Sequence, residues 1–128
     1  MSPENKIKYA ILAIYFEQEE REIQKDLNDE QVADLYDDHS DELYDILYEF
    51  REGQVETNVP SESSRHYESN SVAAQTPSGE WVGWTYWYGG GKHGNPEEID
   101  WIEHAYDLDC AEEEKLVTVR NFTKKDSK

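Results

Sequence analysis

Apolar positions near the start of the chain recur with a helical period. Ile7, Ile11, Ile14 and Tyr15 share one face, and Leu12 and Phe16 widen it. Ser2-Pro3-Glu4, just ahead, offers a hydroxyl for the free amides, a proline at the tolerated first position and an acid near the positive end of the dipole. The pattern predicts a helix running to about Leu27. A second helical period follows Asn28, carried by Val32, Leu35, Tyr36, Leu43, Ile46, Leu47 and Phe50, with Gly53 as its stop. A break is expected near His39-Ser40, where Ser40 would cap a fresh helix with Asp41 and Glu42 in its first turn.

The pattern then changes. ETNVPSESS, residues 56–64, has loop composition and reads as a connector. A polar, β-compatible stretch from Arg65 to Gln75 leads through the turn signal Thr76-Pro77-Ser78-Gly79 into Glu80 to Tyr88, which is rich in strand formers. Together they predict a hairpin. After the glycine loop Gly89 to Gly94, Asn95-Pro96-Glu97-Glu98 has the order of a helix start, and Ile99, Ile102, Ala105 and Tyr106 give that helix an apolar stripe. Lys115 to Phe122 reads as a last strand, and residues 123–128 as a disordered basic tail. The expectation is an α+β fold, with N-terminal acidic helices followed by a small, mostly antiparallel sheet in β-β-α-β order. One domain over residues 1–122 would comprise an acidic helical part (1–55), the connector (56–64) and the β-β-α-β part (65–122).

Only 36% of the 128 residues are apolar and 33% are charged, a balance that leans toward disorder. Four tryptophans, nine tyrosines and three phenylalanines reverse that lean, because they supply large apolar areas that disordered chains lack. The single Cys110 cannot form an internal disulfide, so a reducing cytoplasm is the expected compartment. YAILAIYF, residues 9–16, falls far short of the roughly 20 residues that span a bilayer, and no membrane association is expected.

The aromatics concentrate in residues 81–88. Alternation sends Trp81, Gly83, Thr85 and Trp87 to one face of a strand, and Val82, Trp84, Tyr86 and Tyr88 to the other. One face must pack against helices. The other offers a stacking platform for a sugar, a base or a partner side chain, although a chain this charged needs its aromatics inside. The glycine loop does not fit a phosphate-binding loop, since Tyr86 stands where the first glycine belongs and His93 follows Lys92. His39, His66, His93, His104 and Cys110 lack paired zinc spacings, and the acid-rich runs lack the glycine of a calcium loop. No nucleophile motif is present. No cofactor, no metal and no catalysis are therefore expected.

The acids themselves remain. A formal charge of −18 disfavours direct nucleic-acid binding and makes a basic partner the natural complement. Residues 1–64 hold eighteen acids and five bases, against twelve and seven in the second half. From Asp26 to Glu49 there are ten acids and no Lys or Arg, and from Glu97 to Glu114 there are nine, again with none. Like charges one helical turn apart repel by a few tenths of a kcal/mol, approximately, so helices serving only solubility intersperse bases. Asp34, Asp37, Asp38, Asp41, Asp45 and Glu49 would form a helical row with roughly 5 Å of rise between carboxylates. Phosphates along a nucleic-acid strand have a comparable spacing, about one per 3.4 Å of axis.

In size, in the runs NDEQVADLYDDHSDELYDILYEF and NPEEIDWIEHAYDLDCAEEE, and in that row, the chain resembles small acidic inhibitors deployed by phages and mobile elements. These are the nucleic-acid-mimicking anti-restriction and anti-CRISPR proteins. GEWVGWTYWYGGGKHGNPEEIDW is also similar to stretches of small phage proteins. The resemblance implies a non-catalytic inhibitor that occupies the basic groove of a host nucleic-acid-binding protein. Its expected contacts are the six acids of the row with Glu97 and Glu98, and Trp84, Trp87 or Tyr88 as apolar anchors. Two other readings stay open: a small-ligand or sugar-binding module on residues 81–88, and an immunity-type inhibitor of a basic toxin enzyme.

Overall fold

The computed structural model describes residues 1–61, 64–91 and 94–110. Ser2 caps the first helix, α1 (Pro3–Gln18): its Oγ accepts the Asn5 N–H at 3.3 Å, with proline at the helix start. Lys6, Ile7, Tyr9, Ala10, Ile11, Leu12 and Phe16 are all buried. They cover more than one side of the cylinder because α1 is central, touching both other helices and three strands of the sheet.

The helix ends well short of Leu27. The Arg21 N–H donates to the Phe16 carbonyl (2.8 Å) and the Glu20 N–H to the Glu17 carbonyl (3.0 Å), with Glu20 left-handed at φ 56°. These two bonds form a Schellman stop, and the Arg21 guanidinium lies 4.5 Å from the Phe16 ring centre in the place of its usual apolar contact. Residues after the stop return along α1, where the Tyr9 hydroxyl donates to the Gln24 carbonyl and Ile23 and Leu27 pack on the core.

Asn28 and Gln31 form a reciprocal capping box that opens α2 (Asp29–Asp38). The expected break falls at His39. A single 3-10 turn, Ser40–Glu42, leads into α3 (Tyr44–Phe50), but Ser40 makes no side-chain cap. Gly53 ends this segment at φ 80°, and a Cβ there would sit 2.4 Å from the Val72 Cβ, so the close approach of chain and sheet requires glycine.

Four antiparallel strands follow in the order β1 (Val55–Glu56), β2 (Glu68–Gln75), β3 (Trp81–Tyr88) and β4 (Tyr106–Leu108). The connector expected over 56–64 thus begins inside the sheet, with Val55 opposite Ala73. β2 and β3 form the predicted hairpin, in register from Glu68 opposite Tyr88 to Gln75 opposite Trp81. Val72, Ala74, Val82 and Trp84 point toward the helices and are buried. Trp84 is 0% exposed. Its ring stacks on Phe50 at 5.3 Å, meets Trp101 at 5.2 Å, and its Nε1–H donates to the Arg51 carbonyl at 2.9 Å.

The helix expected after Asn95 and the β-β-α-β order are not found among the described residues. Asn95 makes no capping bond, Pro96–Glu98 form only one 3-10 turn, and Ile99 is already extended. Two tertiary contacts override the local helix signals: Trp101 is drawn against Trp84, and Tyr106–Leu108 pair with Trp81–Gly83. The expected strand at 115–122 and the tail at 123–128 lie outside the described residues, as do Lys92 and His93. Within the described helices no segment is long and apolar enough to cross a membrane.

Lys6, 8% exposed, ties α1 to the far edge of the sheet through Asp107 (2.6 Å) and Glu80 (3.1 Å). Burial pulls its pKa down, but the two carboxylates outweigh this and hold it above the usual lysine value.

Trp84→Ala is expected to cost about 3–5 kcal/mol in urea unfolding, the range for deleting a large aromatic from a packed core. Glu20→Gly should raise stability by about 0.5–1 kcal/mol in the same measurement, since it relieves a left-handed non-glycine residue. No gain would mean that Glu20 rests there without strain.

Candidate functional site

The acids fall into two groups with different duties. Asp29 and Glu42 are internal ties. The Asp29 carboxylate accepts from Asn5 Nδ2 (2.8 Å) and from the Ser2 N–H (2.9 Å), joining the starts of α1 and α2. These bonds, that of Asn5 first, hold its pKa below the usual carboxylate range. Glu42 accepts from the Tyr15 hydroxyl and lies 3.4 Å from His39 Nδ1. The Tyr15 bond is the leading reason that the Glu42 pKa is lowered and the Tyr15 pKa raised. His39 packs against both Tyr15 (5.1 Å between ring centres) and Phe16 (5.9 Å), so the break between α2 and α3 is fastened to the end of α1.

The other group is Asp34, Asp37, Asp38, Asp41, Asp45, Glu49, Glu97 and Glu98. All eight are exposed. The ion pairs among the described residues use other acids: Asp29, Glu80, Asp107, Glu4 and Glu42. The six from the first run do not form one straight helical row. Asp34, Asp37 and Asp38 stand on α2, Asp41 on the 3-10 turn, and Asp45 and Glu49 on α3. The row is bent because α2 stops at His39, whose ring is held by Tyr15 and Phe16.

Trp84 is a core residue and offers no contact surface, which corrects its expected role as an anchor. Tyr88 stacks on Tyr86 (5.3 Å) on the helix-facing side of the sheet, half-buried. Trp87 is half-buried on the opposite side. The exposed aromatics lie elsewhere: Tyr44 is 70% exposed and Tyr48 is 48% exposed, one turn apart on α3 and interleaved with Asp45 and Glu49. Both were legible, because they fall out of phase with Leu43, Ile46, Leu47 and Phe50, the residues that α3 and the turn before it turn inward. Arg51 lies 4.9 Å from the Tyr48 ring and 5.1 Å from the Tyr86 ring, so the base of this aromatic face is held in place. Beside Glu49, a notch of about 200 Å³ opens between α1 and α3, with Ile14, Ile46 and Phe50 in its wall.

The geometry defines an α+β protein whose helical side carries exposed carboxylates without ion-pair partners among the described residues, and two exposed phenols on α3. No family model matches the chain, and no match is found among curated proteins or solved structures. Among the described residues no group of three or more His, Cys, Asp or Glu is placed to hold a metal ion.

Glu42 should titrate below the ordinary glutamate range when carboxyl carbons are followed by NMR, and Tyr15→Phe should move its midpoint up toward that range. Because the folded pKa is the depressed one, the contribution of this tie is present above the unfolded glutamate value and lost as pH falls through the folded value. An unchanged midpoint in Tyr15→Phe would show that the hydroxyl does not hold the carboxylate.

Proposed function

We propose that the chain is a non-catalytic inhibitor of the anti-CRISPR or anti-restriction kind. It presents its acidic helices to the basic nucleic-acid groove of a bacterial defence protein, in the host cytoplasm. The observation that carries this reading is the α2 to α3 surface: six exposed carboxylates without ion-pair partners among the described residues, two of which, Asp45 and Glu49, alternate along α3 with the exposed Tyr44 and Tyr48. Asp45 and Glu49 follow each other along α3 at about 6 Å of rise. At such spacing fixed carboxylates replace phosphates in register with cations that evolved to hold a polyanion. They steer encounter over distances set by salt, while the two tyrosines supply the desolvated contact that slows dissociation.

A pull-down from bacterial lysate at low salt, with displacement of a labelled duplex from the captured protein, tests the reading. Wild type should displace the duplex, and potency should fall steeply as salt rises. The triple substitution Asp37→Lys, Asp38→Lys and Asp41→Lys should reduce displacement by at least about a hundredfold with an unchanged urea midpoint, because each reversal removes an attraction and adds a repulsion. Undiminished displacement by that variant, or capture of abundant ribosomal proteins alone, would sink the proposal.

A further inference from the structure

On the sheet face turned away from the helices, a cleft of about 310 Å³ lies at the open edge of β3. Its wall includes Thr85 and Trp87 from β3, Trp101, Asp100 and His104 from the segment before β4, and Tyr106 from β4. It exists for a topological reason. The carbonyls of Ala73 and Ser71 accept bonds from Gln54 and Thr57 on the β1 side, so alternation turns the amides of Gly83, Thr85 and Trp87 toward β4. β4 pairs only as far as Gly83. Beyond it the edge is left to side chains, with Arg51 Nη1 donating to the Trp87 carbonyl at 3.0 Å from the helix side.

The lining chemistry is selective. Two indoles give flat faces, and Tyr106 lies over Gly83, with its Cε2 2.6 Å from where a glycine Cβ would stand. The polar groups reaching this cleft include the exposed carboxylate of Asp100, and no Lys or Arg is among the lining residues. The described segment 94–110 carries Glu97, Glu98, Asp100, Glu103, Asp107 and Asp109, with no Lys or Arg. Only Asp107 among these has an ion-pair partner among the described residues. Among the described residues, Arg51 stands behind the edge, buried and engaged with the Trp87 carbonyl and the Tyr48 and Tyr86 rings. An anion would be repelled here. A planar cation made only of donors fits both the rings and the carboxylate, which is the description of a guanidinium.

We propose that this cleft seats the guanidinium of an arginine side chain presented by a basic partner protein, stacked on Trp87 and donating to the Asp100 carboxylate. The proposal rests on the functional reading above only in assigning the arginine to a basic partner, and it adds a second contact on the opposite face of the molecule from α2 and α3.

N-acetyl-arginine amide is titrated into the full chain while the indole N–H resonances of Trp87 and Trp101 are followed by NMR. Saturable shifts are expected with a dissociation constant of about 1–10 mM, the scale for one isolated side chain. N-acetyl-citrulline amide, of the same shape without the charge, should bind at least about tenfold more weakly. Asp100→Asn, at an exposed position that leaves the core untouched, should weaken arginine binding by about fivefold or more, and Trp87→Ala should abolish it with little change in the urea midpoint. Absence of saturation up to about 50 mM, an equal response to citrulline, or saturation by glucose or cellobiose instead would overturn the proposal. Loss of duplex displacement with arginine binding intact would strike the inhibitor reading alone, so the two failures are distinguishable.

Discussion

The burial of Trp84 is the interaction on which the rest of the molecule depends. A chain in which 33% of residues are charged has few large side chains with which to exclude water, and its interior must therefore be built from aromatic area. Trp84 joins three parts of the chain at one point: Phe50 at the end of α3, the strand β3 itself, and Trp101 in the segment leading to β4. Its only polar atom is satisfied by the Arg51 carbonyl, so the indole enters the core without an unpaired donor. α1 closes the other side of the same core with Ile7, Ile11 and Leu12, each 0% exposed.

From this follows the freedom of the acidic surface. The aromatics and α1 carry the packing, and the carboxylates that tie distant parts of the described chain together are Asp29 at the helix starts, Glu42 at the break between α2 and α3, and Glu80 and Asp107 around Lys6. The remaining exposed acids of α2 and α3 repel one another at a cost of a few tenths of a kcal/mol per pair, approximately, which a well-packed core tolerates. Their backbone is nonetheless fixed, because α2 begins at a capping box and stops at a histidine packed against two rings, and α3 ends with Phe50 stacked on Trp84. Carboxylates held by that frame lose little freedom on meeting a partner, which is the condition under which charge complementarity yields specificity.

The parts of this fold that were legible in the sequence are those governed by local chemistry. The Ser2 cap, the Asn28 start, the break at His39, the Gly53 stop and the hairpin around Thr76-Pro77-Ser78-Gly79 all follow from side chains acting on neighbouring backbone, and all are present. Two elements went otherwise because distant contacts decided them. The α1 stop depends on Glu20 adopting a left-handed conformation that no residue preference announces, stabilised by Arg21 on Phe16. The expected helix after Asn95 had cap, proline and acids in the right order, yet packing of Trp101 on Trp84 and pairing of Tyr106–Leu108 with the edge of β3 drew that segment into an extended path. In the candidate site the acids were legible from composition alone. Trp84 is core and not an anchor, which alternation alone does not reveal because it divides a strand into two faces without saying which one the helices cover, whereas Tyr44 and Tyr48 stand out of phase with the core residues of α3.

The same edge that overrode the helix also explains why the molecule has two chemically different faces. β4 is only three residues long, so beyond Gly83 the edge of β3 opposite β2 has no strand beside it among the described residues, and a free edge normally invites pairing with another chain. Here it is blunted from both sides, by Arg51 from the helix side and by Trp101 with its acidic flank from the other. Blocking an edge with side chains rather than with backbone leaves gaps, and in this chain the gap is walled by indoles and rimmed by carboxylate. Side chains thereby cover the part of the β3 edge that β4 leaves unpaired, and the recess that remains is rimmed by a carboxylate, the same sign of charge that the exposed side chains of α2 and α3 carry.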